Sequence, residues 1–159
     1  MTAADMHSDD VRDLYRELIL DHARSPRHFG KLEHTTHSAE GINPLCGDKL
    51  KLYLNVDSAD TILAAAFEGS GCAISVASAS LLTDTIVGLD SVQAIRYFDA
   101  VTSHLRGDAE VRERLPVDLG KLRALEGVRE YPSRVKCATL AWHALHSALR
   151  HDTTPATTE

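Results

Sequence analysis

The stretch from residue 49 to 56 reads KLKLYLNV, and its alternation constrains the fold more than any other segment. Leu50, Leu52, Leu54 and Val56 alternate with Lys49, Lys51, Tyr53 and Asn55. Successive side chains of a strand point to opposite faces, so this pattern predicts a half-buried strand with one wet face. Asp57-Ser58-Ala59-Asp60 supplies turn residues, and Ile62 to Phe67 returns as a second strand. The two make an antiparallel hairpin. A further short strand fits between His34 and Glu40.

The rest of the chain reads as helices. Asp9 or Asp10 caps a first helix to about Ala23, with Leu14, Tyr15, Leu18, Ile19 and His22 on one face. Ser25-Pro26 ends it. Gly69-Ser70-Gly71 breaks the second strand, and a helix runs from near Cys72 to Val87, rich in Ala and Ser and stopped by Gly88. Such small residues permit close packing on a sheet. A third helix spans Ser91 to about Leu105, ended by Gly107. Residues 108–131 are charged and broken by Pro116, Gly120 and Gly127, which predicts one or two short surface helices. The last helix follows Pro132, with Ser133 as N-cap and an apolar stripe of Ala138, Ala141, Trp142, Leu145, Ala148 and Leu149. Residues 10–150 form one domain on this reading. Residues 1–9 and 151–159 are polar, lack periodicity and are expected to be disordered tails.

Charge and hydropathy exclude several function classes. The net charge of −6 argues against a nucleic-acid partner, which needs clustered Lys and Arg. No apolar run approaches the roughly 18 residues of a membrane span. The start, MTAADMHSDD, has neither the basic nor the apolar region of a signal peptide, so a cytoplasmic location is expected. Three cysteines, an odd number, argue against a disulfide framework. Buried apolar thiols, a metal site and a nucleophile remain.

The placement of the cysteines favours a shared site. Cys46 lies in a Pro-Leu-Cys-Gly-Asp loop, Cys72 at a strand-to-helix junction behind two glycines, and Cys137 near the start of the last helix. Functional groups are presented at element ends. A helix N-terminus also favours thiolate at Cys72 and Cys137. Zinc takes four ligands in a tetrahedron, with thiolate sulfur a common donor. Asp48, two residues from Cys46 across Gly47, can complete a set of Cys46, Asp48, Cys72 and Cys137. The spacings, 26 residues from Cys46 to Cys72 and 65 on to Cys137, match no zinc-finger pattern. His28, His34 and His37 in loops are alternative ligands.

Three segments resemble the motifs of SufU proteins, a branch of the IscU/NifU-N family. They are Asn43-Pro44-Leu45-Cys46-Gly47-Asp48, Gly69-Ser70-Gly71-Cys72-Ala73-Ile74-Ser75 and Arg134-Val135-Lys136-Cys137-Ala138-Thr139-Leu140-Ala141-Trp142. The scaffold branch, IscU, carries a histidine just before its last cysteine and a Leu-Pro-Pro-Val-Lys motif close by. Here Lys136 holds the histidine position, and only Leu115-Pro116-Val117 echoes the motif, too early in the chain. The extra segment around Val117 to Val128 and the arginine three residues before Cys137 resemble SufU instead. The resemblance implies an α+β fold with a small antiparallel sheet of about three strands and helices packed mainly on one face. It also implies a zinc-dependent sulfurtransferase, one Zn2+ per chain, a SufS-type cysteine desulfurase as donor and a downstream SUF scaffold as acceptor.

On that reading Cys46, on its Gly-flanked loop, takes the persulfide sulfur. Arg134 offsets the negative charge of three thiolates and a carboxylate. Two rivals stay open: a scaffold on which an iron–sulfur cluster is assembled on the same ligands, and a non-enzymatic module with a structural zinc.

Overall fold

The computed structural model describes residues 8–107 and 118–158. The alternating segment forms the centre of the sheet. Strand β2 (Asp48–Val56) pairs antiparallel with β1 (His37–Asn43) on one side and β3 (Ile62–Ser70) on the other. Leu50, Leu52 and Leu54 are buried, as the alternation requires. On the opposite face Lys49 is exposed, but Tyr53 is only 8 % exposed. Its hydroxyl donates to Glu68 on β3, and the Lys51 ammonium lies over its ring, so polar neighbours cover it.

Two expectations need correction here. The sheet has four strands, in the order β3-β2-β1-β4, because Ala156–Thr157 pairs parallel with β1 at Gly41 and Ile42 as β4. The sheet is therefore mixed, not purely antiparallel. For the same reason the C-terminal residues are not a structureless tail. They find unpaired backbone groups along the outer edge of β1, and the Thr158 amide donates to the Ile42 carbonyl. A parallel pair of two residues leaves no periodicity for a sequence pattern to show. The expected N-terminal tail falls mostly on residues 1–7, outside the described residues.

The helices α1 (Ser8–Arg24), α2 (Ala73–Ile86), α3 (Ser91–Arg106) and α4 (Pro132–Leu149) surround a shared core. Helix α4 packs on β1 and β2, and α2 packs on β3, α1 and α4. The Ala/Ser run of α2 is buried, from Ala77 to Thr83, as close packing demands. Trp142 of α4 is fully buried and donates through Nε1 to Ser78 Oγ at 3.2 Å, while Ser78 donates to the Ala138 carbonyl. One hydroxyl thus joins α2 to α4. His22 of α1 is also buried, with Nδ1 2.7 Å from Ser80 Oγ, which accepts the Arg27 amide. Burial holds the His22 pKa below its usual 6.5.

Helix α3 starts and ends as its sequence specifies. Asp90 and Gln93 form a capping box, and Gly107 closes the helix in the left-handed region at φ 80°. Part of the charged stretch, residues 108–117, lies outside the described residues. The remainder corrects the surface reading. Gly120–Glu130 is a 3-10 stretch whose Leu122, Leu125 and Val128 enter the core. Its apolar residues recur every three positions, the 3-10 period, and its many charges mask that face in a composition-based reading.

Candidate metal centre

The site forms where three chain segments converge. Pro44 to Gly47 are the loop of the β1–β2 hairpin, closed by the Gly47 amide donating to the Asn43 carbonyl at 2.9 Å. Gly47 takes φ 72°, a left-handed value that glycine adopts without a Cβ clash. The turn leaves Cys46 exposed at the tip and swings Asp48 inward, where it is 1 % exposed. Cys72 is the N-cap of α2 and half-buried. Cys137 is fully buried in the second turn of α4.

The ligand atoms of Cys46, Asp48 and Cys137 all lie within 4.8 Å of one another. The fourth expected ligand, Cys72, falls outside that three-residue cluster and touches it through other contacts. Its backbone amide donates to Asp48 Oδ1 at 2.9 Å, and its thiol neighbours that of Cys137. No histidine joins the cluster among the described residues. His28 bonds Thr83, His37 stacks on His151, and the loop position of His34 contributes nothing to it.

Asp48 is the hub. Oδ1 accepts from Cys72 N and from Ser75 Oγ at 3.2 Å; Oδ2 accepts from Asn43 Nδ2 at 3.1 Å. Burial works against the carboxylate. Hydrogen bonds from Cys137, Cys72, Asn43 and Ser75 outweigh it and hold the pKa below the ordinary 3.8. Asp48 is therefore an anion at neutral pH. Cys137 shows the opposite trend: burial, then Asp48, Cys46 and Cys72, push its thiol well above the usual range. The expectation that a helix start would favour thiolate at Cys137 is thus corrected. The residue sits past the first turn, where the helix dipole is weak, because Tyr131 and not Ser133 is the N-cap.

A second close approach completes the pocket. A Cβ added at Gly71 would lie 2.4 Å from Asp48 Oδ1 and 2.6 Å from Ser75 Oγ. Only glycine lets the β3–α2 junction pass this near to the carboxylate. Gly71, Asn43 and Ser75 were missed as site residues. All three lie inside the quoted motifs, but nothing local shows that Gly71 passes against Asp48 or that the Asn43 and Ser75 side chains turn toward it. Arg134 is exposed, and among the described residues its side chain makes no hydrogen bond or ion pair. It lines a groove of about 1090 Å³ between α1, α2 and the 3-10 stretch instead.

Soft thiol sulfurs and one carboxylate, gathered at this range in a partly dry pocket, fit a zinc or iron ion and not a hard, oxygen-preferring cation. A bound cation would offset the burial and the neighbouring Asp48, Cys46 and Cys72 that keep Cys137 protonated.

The NifU-like N-terminal domain model matches residues 14–138. This chain belongs to that family. The zinc-dependent sulfurtransferase SufU of Bacillus subtilis (strain 168) is 40 % identical over 136 residues, covering 86 % of this chain and 89 % of the relative. The iron–sulfur cluster assembly scaffold protein IscU of Thermotoga maritima is 38 % identical over 145 residues, covering 89 % and 96 %. A solved structure of an iron–sulfur cluster assembly scaffold protein for the SUF system from Fervidobacterium islandicum AW-1 superposes with a TM-score of 0.74 at 32 % identity, covering 84 % of this chain and 94 % of that one. The α+β architecture of the family is shared, with the fourth strand added to the expected three. The chain is an iron–sulfur cluster assembly family member with a Cys/Asp site.

Proposed function

We propose that this protein is a zinc-dependent sulfurtransferase of the SUF type. It takes persulfide sulfur from a SufS-type cysteine desulfurase and passes it to a downstream scaffold in the cytoplasm, with Cys46, Asp48, Cys72 and Cys137 as the zinc ligands. The observation that carries this reading is the asymmetry of the site. Cys46 is exposed on a hairpin tip, while Asp48 and Cys137, within reach of it, are buried. The Cys46 thiol is open to a partner's sulfur, the Cys72 thiol is half-covered and the Cys137 thiol is closed off.

Zinc, when bound, supplies deprotonation of its thiol ligands without redox chemistry. The Cys46 thiolate attacks the terminal sulfur of the donor's persulfide. A new S–S bond forms at Cys46, the donor's S–S bond breaks, and its electron pair leaves with the donor cysteine as thiolate. Nothing is oxidised or reduced overall. Leu45, exposed beside Cys46, offers an apolar contact for the donor at the hairpin tip. Arg134 is proposed to act on the charge of an incoming partner, since it is exposed and lines the groove.

The test is mass spectrometry after incubation with a cysteine desulfurase and cysteine. The unsubstituted protein should gain sulfur, and Cys46→Ala should not. An undiminished adduct on Cys46→Ala refutes the assignment.

The scaffold reading has its own support in the IscU names of relatives at 36 % and 38 % identity. Against it, Lys136 stands at the position where, by the resemblance, the scaffold branch carries a histidine, so a neutral nitrogen donor is lacking beside Cys137. Metal analysis separates the two. Colourless protein with zinc supports transfer, and brown protein with iron and sulfide supports the scaffold.

A further inference from the structure

Asn43 ends β1 and faces Asp48 across the hairpin. It is fully buried. Its Nδ2 donates to Asp48 Oδ2 at 3.1 Å and to Cys137 Sγ at 3.4 Å. Its Oδ1 has no partner among the described residues. A buried amide oxygen left unpaired costs roughly 1–3 kcal/mol, so this orientation must be held by what the nitrogen does. Turning the amide over would set its oxygen against an ionised carboxylate and a sulfur, losing both bonds. The two N–H groups therefore have one arrangement, and both point at candidate metal ligands that are 89 residues apart in sequence.

We infer that Asn43 is a positioning residue for the metal centre. It binds Asp48 and Cys137 into one rigid pair and draws charge from the Cys137 sulfur once that sulfur is a thiolate. Hydrogen bonds to anionic acceptors are the strong ones, and outer-shell donors fix the orientation of metal ligands. Cys46 receives no such amide donor among the described hydrogen bonds. Asn43 thereby divides the site into a fixed half, Asp48 and Cys137, and a half that can be released, Cys46. This inference rests on the zinc reading above and adds the device that makes its ligands unequal.

The experiment has two arms. In the first, zinc affinity is measured by chelator competition for the unsubstituted protein, Asn43→Ala and the near-isosteric, uncharged Asn43→Leu. Both variants should bind more weakly by the roughly 10–100-fold typical of outer-shell partners. Asn43→Leu keeps the volume without adding charge, so packing alone would leave its affinity close to the parent's. Retention of affinity within about threefold by both variants, against that range, overturns the inference. In the second arm, the unsubstituted protein is loaded with NMR-active cadmium. A scalar coupling between the metal and an Asn43 side-chain amide proton is expected, through the N–H···S bond. Its absence overturns the inference even if the variants do not fold. Failure of the unsubstituted chain to take up zinc or cadmium at all would sink the zinc reading itself, a result distinct from both.

Discussion

Gly71→Ala tests how tightly the site is built. Gly71 is not in the left-handed region, so alanine is allowed by the backbone and would ordinarily stabilise by about 0.4–1 kcal/mol through the unfolded chain. Here the new Cβ meets Asp48 Oδ1 at 2.4 Å and Ser75 Oγ at 2.6 Å, where real contacts stay beyond 3.0 Å. The carboxylate must move, yet it is 1 % exposed and held from three sides by Cys72, Ser75 and Asn43. Overpacking of this kind costs typically ~1–3 kcal/mol. Stretching a hydrogen bond to an anion forfeits part of the roughly 1.5–3 kcal/mol such a bond contributes. After the backbone gain is subtracted, a net loss of about 1–3 kcal/mol is expected, at roughly 2–4 °C of melting temperature for each kcal/mol. The assay is thermal unfolding followed by circular dichroism in a chelator, so that metal contributes nothing. Gly127→Ala is the control, because its Cβ meets nothing within 4 Å and its φ is not left-handed. Equal melting temperatures for the two variants would show that the junction has room and that the packing argument is wrong.

Two further outcomes follow from buried polar contacts. Ser78→Ala strands Trp142 Nε1 in the core and should cost roughly 1–3 kcal/mol; the chain's one tryptophan makes its fluorescence the direct readout. His22 has a folded pKa below 6.5, so the unfolded chain binds its proton first as pH falls. Stability is therefore full above about 6.5 and declines as pH drops below it toward the folded value, a slope that His22→Asn should flatten in urea melts recorded across that window.

How much of this was readable from the chain depends on the range of the interaction. Local interactions were legible: the alternation of Lys49 to Val56 set the hairpin, Gly88 and Gly107 ended their helices, and the cysteines sat at segments that later converged. The placements that failed were those set by distant neighbours. The 3-10 stretch looked like surface because its five charged residues, Lys121, Arg123, Glu126, Arg129 and Glu130, interleave with its four buried ones. The last residues looked structureless because β4 exists only where the edge of β1 accepts it. Cys137 looked like a helix-start thiolate because its burial depends on the sheet beneath it.

The sequence by itself determined which residue types could meet a soft metal, and put Cys46 on a glycine-flanked turn where a thiol is reachable. Tertiary structure decided the rest. It set Asp48 at the centre of the cluster, brought Asn43 between the carboxylate and Cys137, and left Arg134 outside. The physical reason is that hydrogen-bond direction and burial are properties of the assembled pocket. A motif can name the donors, but only the packing of α2 and α4 against the sheet fixes which of them face one another.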